Sequence, residues 1–189
     1  MNKLVKFFVI SMIFTIFATT GVAAESFLNN TVNAVKDSTN STGAAFSDQN
    51  LERKVNNVLS AQVPKGNFTT VSYYKHILLT GQVPTKEDKS KAELAVKNTA
   101  GVKGIWNYLT VEANEDAAAV SKDAWITNKA RSKLVLQGDV NSNNIKVVTD
   151  NRVVYLLGRD PGKISKLNLA IKDIKEIDGV SKVVNLIGK

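Results

Sequence analysis

The sequence predicts an α+β protein built from two copies of one small module, each running helix, strand, strand, helix, strand. Three observations carry this. The chain repeats itself at an offset of about 75 to 78 residues from residue 48 onward. Within each copy the apolar spacing switches between helical and strand periods at corresponding places. Turn and cap residues then punctuate those segments at matching positions.

The repeat is read residue by residue. Leu51, Val55 and Leu59 match Ile126, Ala130 and Leu134. Ile77-Leu78-Leu79-Thr80-Gly81 matches Val154-Tyr155-Leu156-Leu157-Gly158, Gly101-Val102 matches Gly179-Val180, and Asn107 matches Asn185. The period is too long for a solenoid unit and suits a duplicated small domain. The expected organisation is a signal peptide at 1–24, a flexible linker at 25–47, a first domain at 48–114 and a second at 115–189.

In the first copy, Leu51, Val55, Val58 and Leu59 recur at helical spacing. Phe68 to Tyr73 and His76 to Thr80 read as strands, with Tyr74-Lys75 between them. Thr85 is a predicted N-cap, with Asp88 three residues on in a capping-box pattern. The helix from Lys86 to Thr99 places Ala92, Ala95, Val96 and Thr99 on one stripe, Gly101 ends it, and Gly104 to Glu112 is the last strand.

The second copy repeats the plan. Ala124 to Leu136 is a predicted helix, and Ile145 to Thr149 and Arg152 to Leu157 are strands turned by Asp150-Asn151. Pro161 stands near the start of the next helix, whose expected buried stripe is Ile164, Leu167, Ile171, Ile174 and Ile177. Ser181 to Ile187 closes the module. In each copy two helices can cover one face of a three-stranded sheet and enclose a core.

Ahead of the repeat, Lys3 and Lys6 precede the apolar stretch Phe7 to Phe17, and Val22-Ala23-Ala24 offers small residues for cleavage before Glu25. That apolar run is about half of what a spanning helix needs. The stretch Asp37-Ser38-Thr39-Asn40-Ser41-Thr42-Gly43 has a linker's composition. No cysteine occurs, which excludes disulfides, thiolate nucleophiles, Cys-ligated zinc and acylation of an N-terminal cysteine. The expectation is an exported protein that is not a lipoprotein, soluble in an extracytoplasmic space or held at a surface by contacts alone.

Charge is distributed unevenly. Residues 25–120 hold 10 basic and 10 acidic side chains, whereas 121–189 hold 13 and 7. The mature chain's excess of positive charge therefore sits in the second copy and suggests an anionic partner. On a helical wheel Ile126, Ala130 and Leu134 form the core stripe, and Trp125, Leu136, Lys122, Lys129 and Lys133 lie beside it within about 80°. An aromatic among lysines suits an anionic membrane interface. The first copy has Asn50, Val58 and Ser47 where the second has Trp125, Lys133 and Lys122.

Catalytic chemistry finds no set of residues. His76 is the single histidine and falls in a strand, which leaves no zinc site and no hydrolytic triad. The segment from Gly158 to Ser165 has three residues between its glycines and Ile164 where a phosphate-binding loop needs Ser or Thr. No cofactor is expected. Nucleic acid is disfavoured, since export and the lack of an aromatic platform argue against it.

The segments Leu51-Glu52-Arg53-Lys54-Val55-Asn56-Asn57, Leu78-Leu79-Thr80-Gly81-Gln82, Trp125-Ile126-Thr127-Asn128-Lys129 and Tyr155-Leu156-Leu157-Gly158, in this order and duplication, resemble the BON domain. That family's order is αββαβ, and a tandem pair behind an export signal is similar to the dual-BON proteins of the Gram-negative envelope. The resemblance covers roughly 48–189. It implies structural glycines at Gly81 and Gly158, where the second strand ends against the following helix. It implies a non-enzymatic periplasmic protein, peripheral on the inner leaflet of the outer membrane. Such a protein binds anionic phospholipid through the second domain and supports outer-membrane integrity, with Trp125 opening the critical helix. It also leaves the alternative of a soluble stress protein that binds unfolded or envelope proteins. The absent cysteine and the glycine-free hairpins depart from the family pattern.

Overall fold

The computed structural model describes residues 47–112 and 117–188, with side chains from 120 onward in the second stretch. Residues 1–46, which hold the expected export signal and nearly all of the linker, lie outside them. Residues 47–189 form one compact unit.

In chain order the elements are helix α1 (47–62), strands β1 (Asn67–Tyr73) and β2 (His76–Val83), helix α2 (Lys86–Lys97), and strands β3 (Gly104–Asn107) and β4 (Thr110–Val111). Helix α3 (Ala117–Leu136), a 3₁₀ turn at Ser142–Asn144, strands β5 (Ile145–Asp150) and β6 (Val153–Gly158), helix α4 (Ile164–Lys175) and strand β7 (Lys182–Asn185) follow. In each module the middle strand pairs antiparallel with the one before it and parallel with the last, in the order β1-β2-β3 and β5-β6-β7.

Two helix-facing cores form as the spacing predicts. Leu51, Val55 and Leu59 of α1 meet Ile77, Leu79 and Val83 of β2 and Ala92 and Val96 of α2. Ile126, Ala130 and Leu134 of α3 meet Val154 and Leu156 of β6 and Leu167, Ala170 and Ile174 of α4. Thr85 caps α2, its hydroxyl accepting the Asp88 amide at 3.0 Å.

A third core lies on the opposite faces of the sheets. Leu78 of the first module packs with Tyr155, Leu157, Val184 and Leu186 of the second, bordered by Tyr73, Trp106 and Tyr108. The modules are therefore stacked sheet against sheet, with helices outside. Strands β2 and β6 are buried on both faces, which accounts for their near-continuous apolar runs. Polar contacts sew the edges. Lys146 of β5 donates to the Ser72 carbonyl at 2.9 Å, and Glu52 of α1 accepts the Ser72 amide at 2.8 Å. These two groups occupy an edge-strand residue that would otherwise be open to another chain.

Several sequence expectations are revised. The second hairpin turns at Asn151-Arg152, one residue later than Asp150-Asn151. Asp150 instead ends β5 and faces the seam. The last strand of the first module breaks after Asn107, whose side chain accepts the Leu109 amide at 3.1 Å. Asn185 does the same for Ile187 at 3.0 Å, which explains the repeated asparagine. Helix α3 starts at Ala117, so Trp125 sits inside it and does not open it. Ile164 is 66% exposed, because it is the first residue of α4 and overhangs the core.

Gly81 is required, but for a different reason than expected. Its φ is +116°, and a Cβ there would sit 2.0 Å from the Asn67 carbonyl oxygen of β1. The obstruction is the neighbouring strand, not the following helix. Gly158 ends β6, and a Cβ would meet the Asn144 oxygen at 3.0 Å.

Candidate functional site: the outer face of the second module

Both hairpins turn in two residues with positive φ and no glycine: Tyr74 and Lys75 at 50° and 68°, Asn151 and Arg152 at 45° and 60°. Such type I′ geometry normally favours Gly or Asn. A buried aspartate from the preceding helix holds each turn. Asp48 of α1 accepts the Tyr74 amide at 2.8 Å, the Lys75 amide at 2.9 Å and the Ser72 hydroxyl at 2.7 Å. Asp123 of α3 accepts the Arg152 amide at 3.0 Å. Thr149 stands where Ser72 would be and accepts the Thr127 hydroxyl at 2.7 Å, while Asp123 Oδ2 is buried without a hydrogen-bond partner. Burial accordingly pushes the Asp123 carboxyl above its ordinary range, opposed by the turn amides. The pair Asp48 and Asp123 was missed in the sequence, although both precede the matched apolar stripe by three residues.

These aspartates fix the rotation of α1 and α3 on their sheets, and so decide what α3 shows to solvent. Ile126, Ala130 and Leu134 are directed inward. Trp125 is left 45% exposed, with the Lys129 ammonium 5.5 Å from its ring centre. Leu136 is 77% exposed at the end of the helix. Lys133 is half-buried beside the core stripe. Lys122 departs from the group: it lies against Gly179 and pairs with Asp178 at 3.4 Å, which draws its charge toward the turn after α4. The indole is thus neither in the inter-module seam nor in a core.

The two helices of the second module also expose apolar residues that the sequence analysis did not single out. Nine large apolar side chains are exposed among the described residues. Six of them (Val120, Trp125, Val135, Leu136, Ile164 and Leu169) belong to α3 and α4, and Leu94 alone to the helices of the first module. Leu169 was legible as an apolar residue off the α4 stripe. Ile164 was not, because it fits the stripe's period and is exposed only through its terminal position. Among the described residues no helix is long and apolar enough to cross a membrane, and no group of acidic, His or Cys side chains is placed to hold a metal ion.

Two αββαβ modules, each with a buried aspartate holding its hairpin, define the class. The family model described as "BON domain" matches residues 47–113 and 122–187, and the chain belongs to that family with two copies. Among curated proteins it is 36% identical over 148 residues to the "Outer membrane lipoprotein DolP" of Haemophilus influenzae, across 77% of this chain and 76% of that one. It is 29% identical over 151 residues to a "21 kDa hemolysin" of Actinobacillus pleuropneumoniae, across 78% of each. A solved structure of CdsD, a structural protein of the type III secretion system of Chlamydia trachomatis, aligns with 73% of this chain and 91% of its own. It does so at 15% identity and a TM-score of 0.31, too low to carry an inference.

Proposed function

We propose that this chain is a non-enzymatic envelope protein that binds anionic phospholipid surfaces through the outer face of its second module and thereby supports outer-membrane integrity. Trp125 inserts its indole at the headgroup level, Leu136 adds an apolar contact, and Lys129 and Lys133 meet lipid phosphates. Lys122 is peripheral to this set, since its ammonium is shared with Asp178. One observation carries the reading: the exposed indole beside Lys129 exists in one copy only, the first copy having Asn50 in its place. A fold requirement would have acted on both copies. Support for the envelope setting comes from the similarity to a protein named as an outer-membrane lipoprotein. The proposed attachment is by surface contact, from the periplasmic side.

Each lysine near an anionic leaflet contributes about 1 kcal/mol. Two lysines and one interfacial tryptophan give millimolar-range affinity, so the attachment is reversible and gains from the surrounding basic residues. Cosedimentation with vesicles tests this. Wild-type protein is expected to pellet with phosphatidylglycerol vesicles more than with phosphatidylcholine vesicles, less so in high salt, and poorly after Trp125→Glu. Equal pelleting on both vesicle types contradicts the reading. The exposed Ile164 and Leu169 favour a second reading, capture of unfolded envelope proteins, and that outcome would point to it.

A further inference from the structure

The first module carries an aromatic cluster of its own, at the end of the molecule where its hairpin turns. A half-open cleft of about 480 Å³ lies there, within the size range of small-molecule sites. Tyr73, Tyr74, His76, Lys103 and Trp106 line it from the first module, and Arg159 and Gly188 from the second. His76 and Trp106 stack with ring centres 5.4 Å apart and planes 25° from parallel. Gly104 makes room for them, since a Cβ there would press into the imidazole at 2.6 Å. Opposite, the Arg159 guanidinium covers the Tyr74 ring at 4.6 Å, and Tyr74 packs edge-on against Tyr73 at 4.9 Å.

Two features mark this as more than packing. The corresponding positions of the second copy are Asn151 for Tyr74, Val153 for His76 and Val184 for Trp106, so the fold does not need aromatics there. Tyr74 is also a bulky aromatic left 44% exposed, at a turn position where the second copy holds Asn151. The electrostatics are one-sided. Lys103 and Arg159 are both exposed at the rim, and among the described residues no acidic side chain lines the cleft. The nearby Asp48 is occupied by the Ser72 hydroxyl and the two turn amides.

We infer that this cleft is a second binding site, for a small ligand that carries a carboxylate or phosphate next to a flat ring. The ring enters between the His76–Trp106 stack and Tyr74, and the anion meets Arg159 and Lys103, whose hydrogen bonds to such groups are charge-assisted. The site is independent of the proposed lipid face, because Trp125 is not part of it.

The chain has two tryptophans, so Trp125→Phe leaves Trp106 as the sole fluorophore and removes the proposed membrane residue as well. In that background, phenyl phosphate is expected to change Trp106 emission saturably, at lower concentration than phenol or inorganic phosphate. Arg159→Gln is expected to weaken it about tenfold, the scale of one charge-assisted contact. Lys103→Gln serves as a second exposed variant should Arg159→Gln lose its fold by circular dichroism. Amide shifts should move at Gly104 and Gly188. No saturable response below about 50 mM, or equal response with both cations replaced, overturns the proposal. So does a Trp106 response to phosphatidylglycerol vesicles with none to phenyl phosphate, which would assign the cleft to the lipid surface.

Discussion

Replacing Asp48 by Ala removes one side chain and releases three donors at once. The Tyr74 and Lys75 amides and the Ser72 hydroxyl all donate to its carboxylate, and Asp48 and Ser72 are buried. An orphaned buried donor costs about 1–3 kcal/mol. Both turn residues also sit at positive φ, a conformation costing non-glycine residues roughly 1–2 kcal/mol each and sustained by the lost contacts. We expect Asp48→Ala to destabilise the protein by about 3–5 kcal/mol. Asp123→Ala provides the internal comparison. Asp123 lacks the hydroxyl donor, and its raised carboxyl pKa records a burial penalty that the substitution removes. Its loss should cost about 1–2 kcal/mol. Urea unfolding followed by far-ultraviolet circular dichroism measures both. At ordinary slopes the Asp48→Ala midpoint falls by about 2 M. Adding Lys75→Gly should restore about 1 kcal/mol by relieving the left-handed residue. Equal costs for the two aspartates, or a cost below about 1 kcal/mol at Asp48, would refute the argument that these carboxylates hold the hairpins.

Two further outcomes follow from the packing. Gly81→Ala should cost at least about 3 kcal/mol, combining backbone strain with a Cβ 2.0 Å from the Asn67 oxygen. Gly158→Ala, at 3.0 Å from Asn144 and without positive φ, should cost about 1 kcal/mol; thermal or urea unfolding that ranks them the other way contradicts the geometry. Asp150 gives a pH signature. Burial at the seam raises its pKa above the ordinary 3.8, against hydrogen bonds from Thr80, Gln82 and the Gly81 amide. The folded state therefore holds this proton more tightly than the unfolded chain does. Its contribution to stability grows as pH falls through the raised value toward 3.8. The stability of wild type relative to Asp150→Asn should therefore rise as pH falls from about 7 toward 3.8. A pH-independent difference means the carboxylate is not titrating in the fold.

Much of the fold was legible because the duplication let each copy check the other. The helix-facing cores, the Thr85 cap and the strand pairs follow from apolar spacing and cap chemistry. What escaped was long-range. A strand buried on both faces and one buried on a single face differ only in the polarity of alternate residues. Leu78 and Tyr155 at those alternate positions were the available sign of sheet-on-sheet stacking. The second turn was misplaced by one residue because Asp150-Asn151 satisfies local turn preferences. Asp150 is instead committed to the seam, and Asn151-Arg152 can turn because Asp123 reaches them from another element. Of the candidate site, the wheel placed Trp125 and Lys129 correctly beside each other. It had no means of seeing Asp178, which draws Lys122 aside.

In the proposed function, one copy's helix, turned outward by its buried aspartate, meets an anionic membrane with its indole. The direct measurement is quenching of Trp125 in a Trp106→Phe protein by phosphatidylglycerol carrying brominated acyl chains. A blue-shifted emission that brominated lipid quenches is expected, weakened by high salt and smaller with brominated phosphatidylcholine. Emission that stays unshifted and unquenched while the protein cosediments with the same vesicles would contradict it, because another face would then be making the contact.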